Sequence, residues 1–140
     1  MNKKLTICCC VATILALAFG VAVQPAHAIK PFSDEFTVKY VKKDSKEKKD
    51  VEFAKLISET KCNVCHKGKS KKDRNLFGAE LSKLLDKKAD KGNKDKIQDA
   101  LVKVEKLPVN PKDKKSPTFG DLIKAGKLPG GKPVEEKKEG

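Results

Sequence analysis

The chain has 140 residues, room for one small domain, and carries 32 Lys+Arg against 19 Asp+Glu for a net charge of +13. Arg74 is the only arginine, aromatics make up 5% and tryptophan is absent. A single apolar run at the N-terminus excludes a polytopic membrane protein. A disulfide-built mini-protein is excluded too, because Cys62 and Cys65 are the only cysteines beyond residue 10 and lie too close in sequence to staple distant segments.

In chain order, Met1 to Lys4 form a basic n-region, Leu5 to Val23 an almost unbroken apolar run, and Ala26-His27-Ala28 a small-x-small cleavage pattern. This predicts a secretory signal peptide over residues 1–28 and a periplasmic protein; left uncut, the run would anchor the chain in the membrane. Cys8, Cys9 and Cys10 precede most of the run and read as small apolar members of it. Cleavage removes Lys3 and Lys4 and no acid, leaving +11. Beyond residue 28 the sequence holds one histidine, His66, and no methionine. That inventory governs the chemistry.

Residues 29–50 read as a polar lead-in. Phe32, Phe36 and Tyr40 fall at i, i+4 and i+8, one face of a helix, while Phe36, Val38 and Tyr40 alternate as in a strand. Lys42 to Lys49 is a charge run expected to be a solvated connection. A helix is predicted from Val51 to Thr60, with Phe53, Ala54, Leu56 and Ile57 in its apolar stripe, running into Cys62. Lys67 to Asn75 reads as a loop. A second helix is predicted over Gly78 to Ala89, with Leu81, Leu84 and Leu85 on one side. Asn93 or Asp95 caps a third, in which Ile97, Ala100, Leu101 and Val104 follow the 3.6-residue period to Leu107. Pro108, Pro111 and Pro117 hold an extended loop, and Thr118 caps a short last helix closed by Gly126. The segment 129–140 is Gly/Lys/Glu-rich and expected to be disordered. The fold class is all-α. Small domains with few large apolar residues often need a metal, a cofactor or cross-links.

Cys62-Asn63-Val64-Cys65-His66 is a C-x-x-C-H sequence, the attachment signature of c-type haem. On a helical turn, positions i, i+3 and i+4 share a face, so two thiols meet the two vinyl groups of one porphyrin while the imidazole of His66 reaches the iron. Three rival chemistries fit less well. Zinc needs about four ligands, and beyond residue 28 only Cys62, Cys65 and His66 are Cys or His. A thioredoxin-like dithiol belongs in a βαβ context this chain lacks. A plain structural disulfide is the third.

From Val51 to Gly126 the sequence resembles the class I cytochrome c family: a helix into C-x-x-C-H, a basic loop, then Arg74-Asn75-Leu76-Phe77-Gly78, similar to the family's Gly-Pro-x-Leu-x-Gly. The resemblance implies a cytochrome c-like domain over residues 51–128, wrapped around one covalent haem c. It also implies Leu76 packed on the haem and the Arg74 carbonyl accepting the N–H of His66, although Arg replaces the family's Pro. By the same likeness Phe119 to Gly126 crosses the first predicted helix near Phe53 and Leu56.

The chain departs from the family in lacking a methionine for the second axial position. That position is then open, or taken by Lys112, Lys114 or Lys115 of the Pro-rich loop, by Asn110, Asn75 or Tyr40, or by a partner chain. A lysine ligand would first have to lose its proton. Without methionine the potential is expected well below that of a His/Met cytochrome.

The implied function is single-electron transfer between redox proteins, with haem maturation machinery as a further partner and no catalytic residue. Lys61, Lys67, Lys69, Lys71 and Lys72 flank the motif and would steer acidic docking surfaces toward it. Nucleic acid is not expected, since the basic residues are lysines interspersed with acids and not Arg forks with stacking aromatics; any membrane contact would be peripheral. The alternatives are a haem protein with an open distal site, binding NO, CO or peroxide, and a haem subunit of a larger oxidoreductase.

Overall fold

The computed structural model describes residues 30–68 and 70–132, so the predicted signal peptide and residues 133–140 of the tail lie outside the described residues. Five α-helices follow in order: α1 (Pro31–Tyr40), α2 (Lys48–Thr60), α3 (Leu76–Leu84), α4 (Lys94–Glu105) and α5 (Phe119–Lys124), with a 3-10 turn, Lys61–Val64, directly after α2. Among the described residues there is no strand, only the isolated bridges His66–Arg74 and Pro108–Thr118. The all-α expectation is met. No described helix is long and apolar enough to cross a membrane.

The segment read as a polar lead-in is part of the core. Pro31 begins α1, where its fixed φ suits a first turn, and the helical spacing prevails over the alternating one. Phe36 is 1% exposed, with its ring 4.9 Å from that of Tyr40 and 5.7 Å from that of Phe77. α1 packs on α4. There the Tyr40 hydroxyl donates to the Glu105 carboxylate at 2.6 Å, and the Gln98 amide donates to the buried Glu35 carboxylate at 2.7 Å. Burial, and then the bond to Glu105, raise the Tyr40 pKa well above that of a free phenol.

α2 starts three residues before the predicted Val51, taking the end of the lysine run into its first turn. Asp50 makes this favourable. Its carboxylate accepts from the Ser45 hydroxyl at 2.7 Å, pairs with Lys42 at 3.3 Å, and sits near the positive end of the helix dipole. Phe53 and Ile57 are the buried face.

α3 starts two residues before the predicted Gly78, because the Asn75 side chain caps it, and ends well before Ala89. Asp86 stops it: one carboxylate oxygen accepts from Lys88 and Ala89 N–H at 2.8 and 2.7 Å, while its own N–H donates to Asp90. Leu81 and Leu85 are buried, and Leu84 faces outward at 39% exposure. α4 behaves as its spacing predicts. Asn93, not Asp95, is its cap, and Ile97, Ala100, Leu101 and Val104 are all buried. This helix lies against α1, α3 and α5.

α5 has only six residues and is held at both ends. Thr118 and Asp121 form a reciprocal capping box. At the other end Lys127 N–H donates to Leu122 O and Gly126 N–H to Ile123 O, both at 2.9 Å, with Gly126 at φ +71°. A Cβ at Gly126 would lie 4.0 Å from Cβ of Phe53, so the end of α5 abuts α2 at the residue the resemblance named. The segment from 129 expected to be disordered begins inside the fold: Pro129 is among the most buried side chains, directly after Leu128 at 6% exposure.

Two stability predictions follow from these caps and rings. Phe77→Ala removes the ring between Phe36 and Phe119 and should cost about 3–5 kcal/mol, whereas Thr118→Ala should cost about 1 kcal/mol, both read from urea unfolding. The carboxyls of Asp50, Asp86, Asp90 and Asp121 are held below the usual range: by the Ser45 hydroxyl, by the Ala89 N–H, by the Lys96 ammonium and by the Thr118 cap respectively. Their folded-state values lie below the unfolded ones, so their stabilisation is complete above about pH 4 and is lost as pH falls through the folded values. The melting temperature should therefore drop on going from pH 6 to pH 2, and Asp90→Asn should lower it more at pH 6 than at pH 2.

Candidate cofactor-attachment site

The C-x-x-C-H residues occupy the 3-10 turn after α2 and the two residues beyond it. The chain enters through Lys61, the only non-glycine residue with positive φ among the described residues (φ 50°, ψ −118°). This reversal ends α2 and swings Cys62 outward. Cys62 O then accepts from Cys65 N–H at 3.2 Å and His66 N–H at 3.1 Å, closing the turn. The three residues thus lie in and directly after one 3-10 turn, which is not a continuation of the α-helix.

Both cysteines are free. Cys62 is exposed, while Cys65 is half-buried, and burial together with the nearby Cys62 pushes its thiol pKa up to about 12. In a C-x-x-C pair the reactive thiol is the accessible one, which here is the exposed Cys62. No group of three or more His, Cys, Asp or Glu side chains among the described residues converges as a metal ion alone would require.

His66 is held toward its neutral form, first by burial and then by the Lys71 charge, with Arg74 and Lys87 adding to the effect. Its Nδ1 is buried and has no hydrogen-bond partner. The Arg74 carbonyl, the acceptor suggested by the family resemblance, does not fill that role. His66 and Arg74 face each other as a non-hydrogen-bonded antiparallel pair, flanked by Lys67 N–H to Asp73 O (2.8 Å) and Asn75 N–H to Cys65 O (3.1 Å). In such a pair the residues' own backbone groups point away from each other. The Asp73 carbonyl favours the protonated ring, but makes no bond of good geometry to Nδ1.

Leu76, the residue after the Asn75 cap, is 56% exposed. Two free thiols and an adjacent imidazole pushed toward its neutral form are the side-chain types that would hold a covalently attached haem. Of the flanking lysines, Lys61, Lys67, Lys71 and Lys72 are exposed, and Lys69 lies outside the described residues.

The residues considered for a second axial position divide. Tyr40 is committed to Glu105, and Asn75 makes five hydrogen bonds within the fold, three of them through its side chain. The Asn110 side-chain oxygen accepts from Lys112 N–H within its own loop. Lys112, Lys114 and Lys115 are exposed on that loop, which is closed by Val109 N–H to Pro117 O at 2.9 Å.

Sequence reasoning missed the residues that hold the turn. Asn75 Nδ2 donates to Val64 O at 2.9 Å and Asn63 O at 3.2 Å, and its Oδ1 accepts from Gly78 N–H at 2.9 Å. Gly78 lies so close that a Cβ there would collide with the Cys65 carbonyl. Asn-x-x-Gly at the end of a lysine-rich loop was the available signal, since Asn is a preferred N-cap.

Comparison with protein-family models, with curated proteins and with solved structures gives no match.

The Lys61 backbone yields a test of the turn's geometry. Strain at such a φ/ψ costs of order 1–3 kcal/mol, and glycine relieves it at an entropic cost of about 0.5–1 kcal/mol. Lys61→Gly should therefore stabilise the protein by about 1 kcal/mol in chemical denaturation; a destabilisation would mean the reversal is not strained.

Proposed function

We propose that this chain is a monohaem c-type cytochrome that passes single electrons between redox proteins. Cys62 and Cys65 would hold the haem as thioethers and His66 would ligate the iron. The observation that carries the reading is the Cys62–His66 turn itself: one free thiol in the 3-10 turn and a second at its end, followed directly by an imidazole pushed toward its neutral form. A haem bound there supplies reversible one-electron chemistry at its iron.

The protein's part is to position and to steer. His66 must be unprotonated to act as a ligand, and burial together with Lys71, Arg74 and Lys87 favours that state. The same cations make the surface around the turn positive, which speeds encounter with an acidic partner and makes the rate salt-dependent. Export through the N-terminal segment would place the chain where c-type haem is attached.

A second reading rests on the absence of methionine beyond residue 28 and on the internal bonds of Tyr40 and Asn75. These favour an iron without a strong protein ligand on its second side, a site able to bind CO, NO or peroxide.

Co-expression with haem maturation machinery, followed by denaturing electrophoresis and haem staining, should show haem on the wild-type chain, none on Cys62→Ser/Cys65→Ser, and none stably ligated in His66→Ala. Potentiometric titration of the wild type should give a midpoint well below that of a His/Met cytochrome. A His/Met-like midpoint would contradict the ligand set. Rapid CO binding to the reduced protein favours the second reading; a spectrum indifferent to CO favours the electron carrier.

A further inference from the structure

The carbonyls of the attachment turn converge on one residue. Asn63 O and Val64 O accept from the Asn75 side-chain amide, and Cys65 O accepts from the Asn75 backbone N–H. Cys62 O is used within the turn. The three acceptors that face out of the turn are therefore satisfied by Asn75. The remaining side-chain oxygen of Asn75 caps α3 through Gly78 N–H. Asn75 is 4% exposed. It is sealed by the segment after α5, where Leu128 and Pro129 are buried and a Cβ at Gly130 would collide with the Asn75 amide.

We propose that Asn75 is the positioning residue of the attachment site: it fixes the Cys62–His66 turn on the N-terminus of α3, and the Leu128–Gly130 segment holds Asn75 in place. This rests on the cytochrome reading for its functional meaning. The mechanical part stands on the hydrogen bonds alone. Loss of the Asn75 amide leaves the Asn63 and Val64 carbonyls without this donor, the Val64 bond being buried and the Asn63 bond partly so, and an unmade bond at a buried carbonyl is costly. The arrangement also couples the C-terminal segment to the Cys62–His66 turn through Asn75.

Three substitutions separate positioning from ordinary stability. Asn75→Asp keeps the capping oxygen but not the donors. Asn75→Ser keeps a cap and adds no charge. Gly130→Ala leaves residue 75 unchanged but drives a methyl group against its amide; Gly130 is not at positive φ, so alanine suits its backbone. Thr118→Ala, which loses the α5 cap, is the control.

Amide hydrogen exchange on the full chain as purified, with or without attached haem, should show protection at residues 65–67 falling by at least about tenfold in all three variants, the effect of losing one buried hydrogen bond. In Thr118→Ala those amides should keep wild-type protection and only α5 should loosen. Where haem is attached, the midpoint potential should move in Asn75→Ser and Gly130→Ala and stay put in Thr118→Ala. Wild-type protection at 65–67 in Asn75→Ser and Gly130→Ala would overturn the proposal. A wild-type chain that carries no covalent haem would instead overturn the cytochrome reading, with the exchange result still deciding the role of Asn75.

Discussion

Phe77 is fully buried between Phe36 of α1 and Phe119 of α5, with ring centroids 5.7 and 5.5 Å away in edge-to-face arrangements. The first turn of α3 carries this ring, the cap residue Asn75 just before it and Gly78 just after. Core and candidate site are thereby joined within four residues. The ring fixes α3 relative to the two helices it touches, the cap ties the attachment turn to α3, and the missing side chain at Gly78 lets the Cys65 carbonyl come close. Moving any one of these would move the others.

The remainder of the fold supports that junction economically. α4 is the long buried spine, with four apolar residues at helical spacing and neighbours on three sides. α1 clamps to it with partly buried polar bonds, Gln98 to Glu35 and Tyr40 to Glu105. α5 is too short to be stable by propensity alone, and its capping box and C-terminal glycine motif hold it where its Phe119 ring is needed. The Cys62–His66 turn lies at the edge of this core, and Leu76, the residue after the Asn75 cap, is exposed. A small domain with an exposed apolar residue gains from a group that covers it.

Much of this was legible in the sequence where a single local rule decided the outcome. The α4 spacing, the Asn93 cap, and the Thr118 start and Gly126 stop of α5 are local signals, and each appears where the sequence places it. The misses came where a local rule had competition. Phe32 to Tyr40 satisfied both periods, and only burial against α4 decides for a helix. The α3 pattern continued through Leu85, but the Asp86 side chain offered the backbone other bonds and ended the helix. Lys48 and Lys49 looked like solvated charge, yet Asp50 and Ser45 draw them into α2. At the candidate site, the proximity of Cys62, Cys65 and His66 was legible because C-x-x-C-H is contiguous. Asn75 was not, because its partners lie up to 12 positions away in sequence.

Burial raises the Cys65 thiol pKa and pushes His66 toward its neutral form. Thioether bonds to a haem would remove the first group from titration and give the second a metal to ligate. The most direct measurement is the intact mass and visible spectrum of the exported chain after acid–acetone extraction, which strips non-covalent haem. The account predicts that one haem per chain survives extraction, attached through Cys62 and Cys65. A colourless chain with both thiols free to alkylation, from cells that mature other c-type cytochromes, would contradict it.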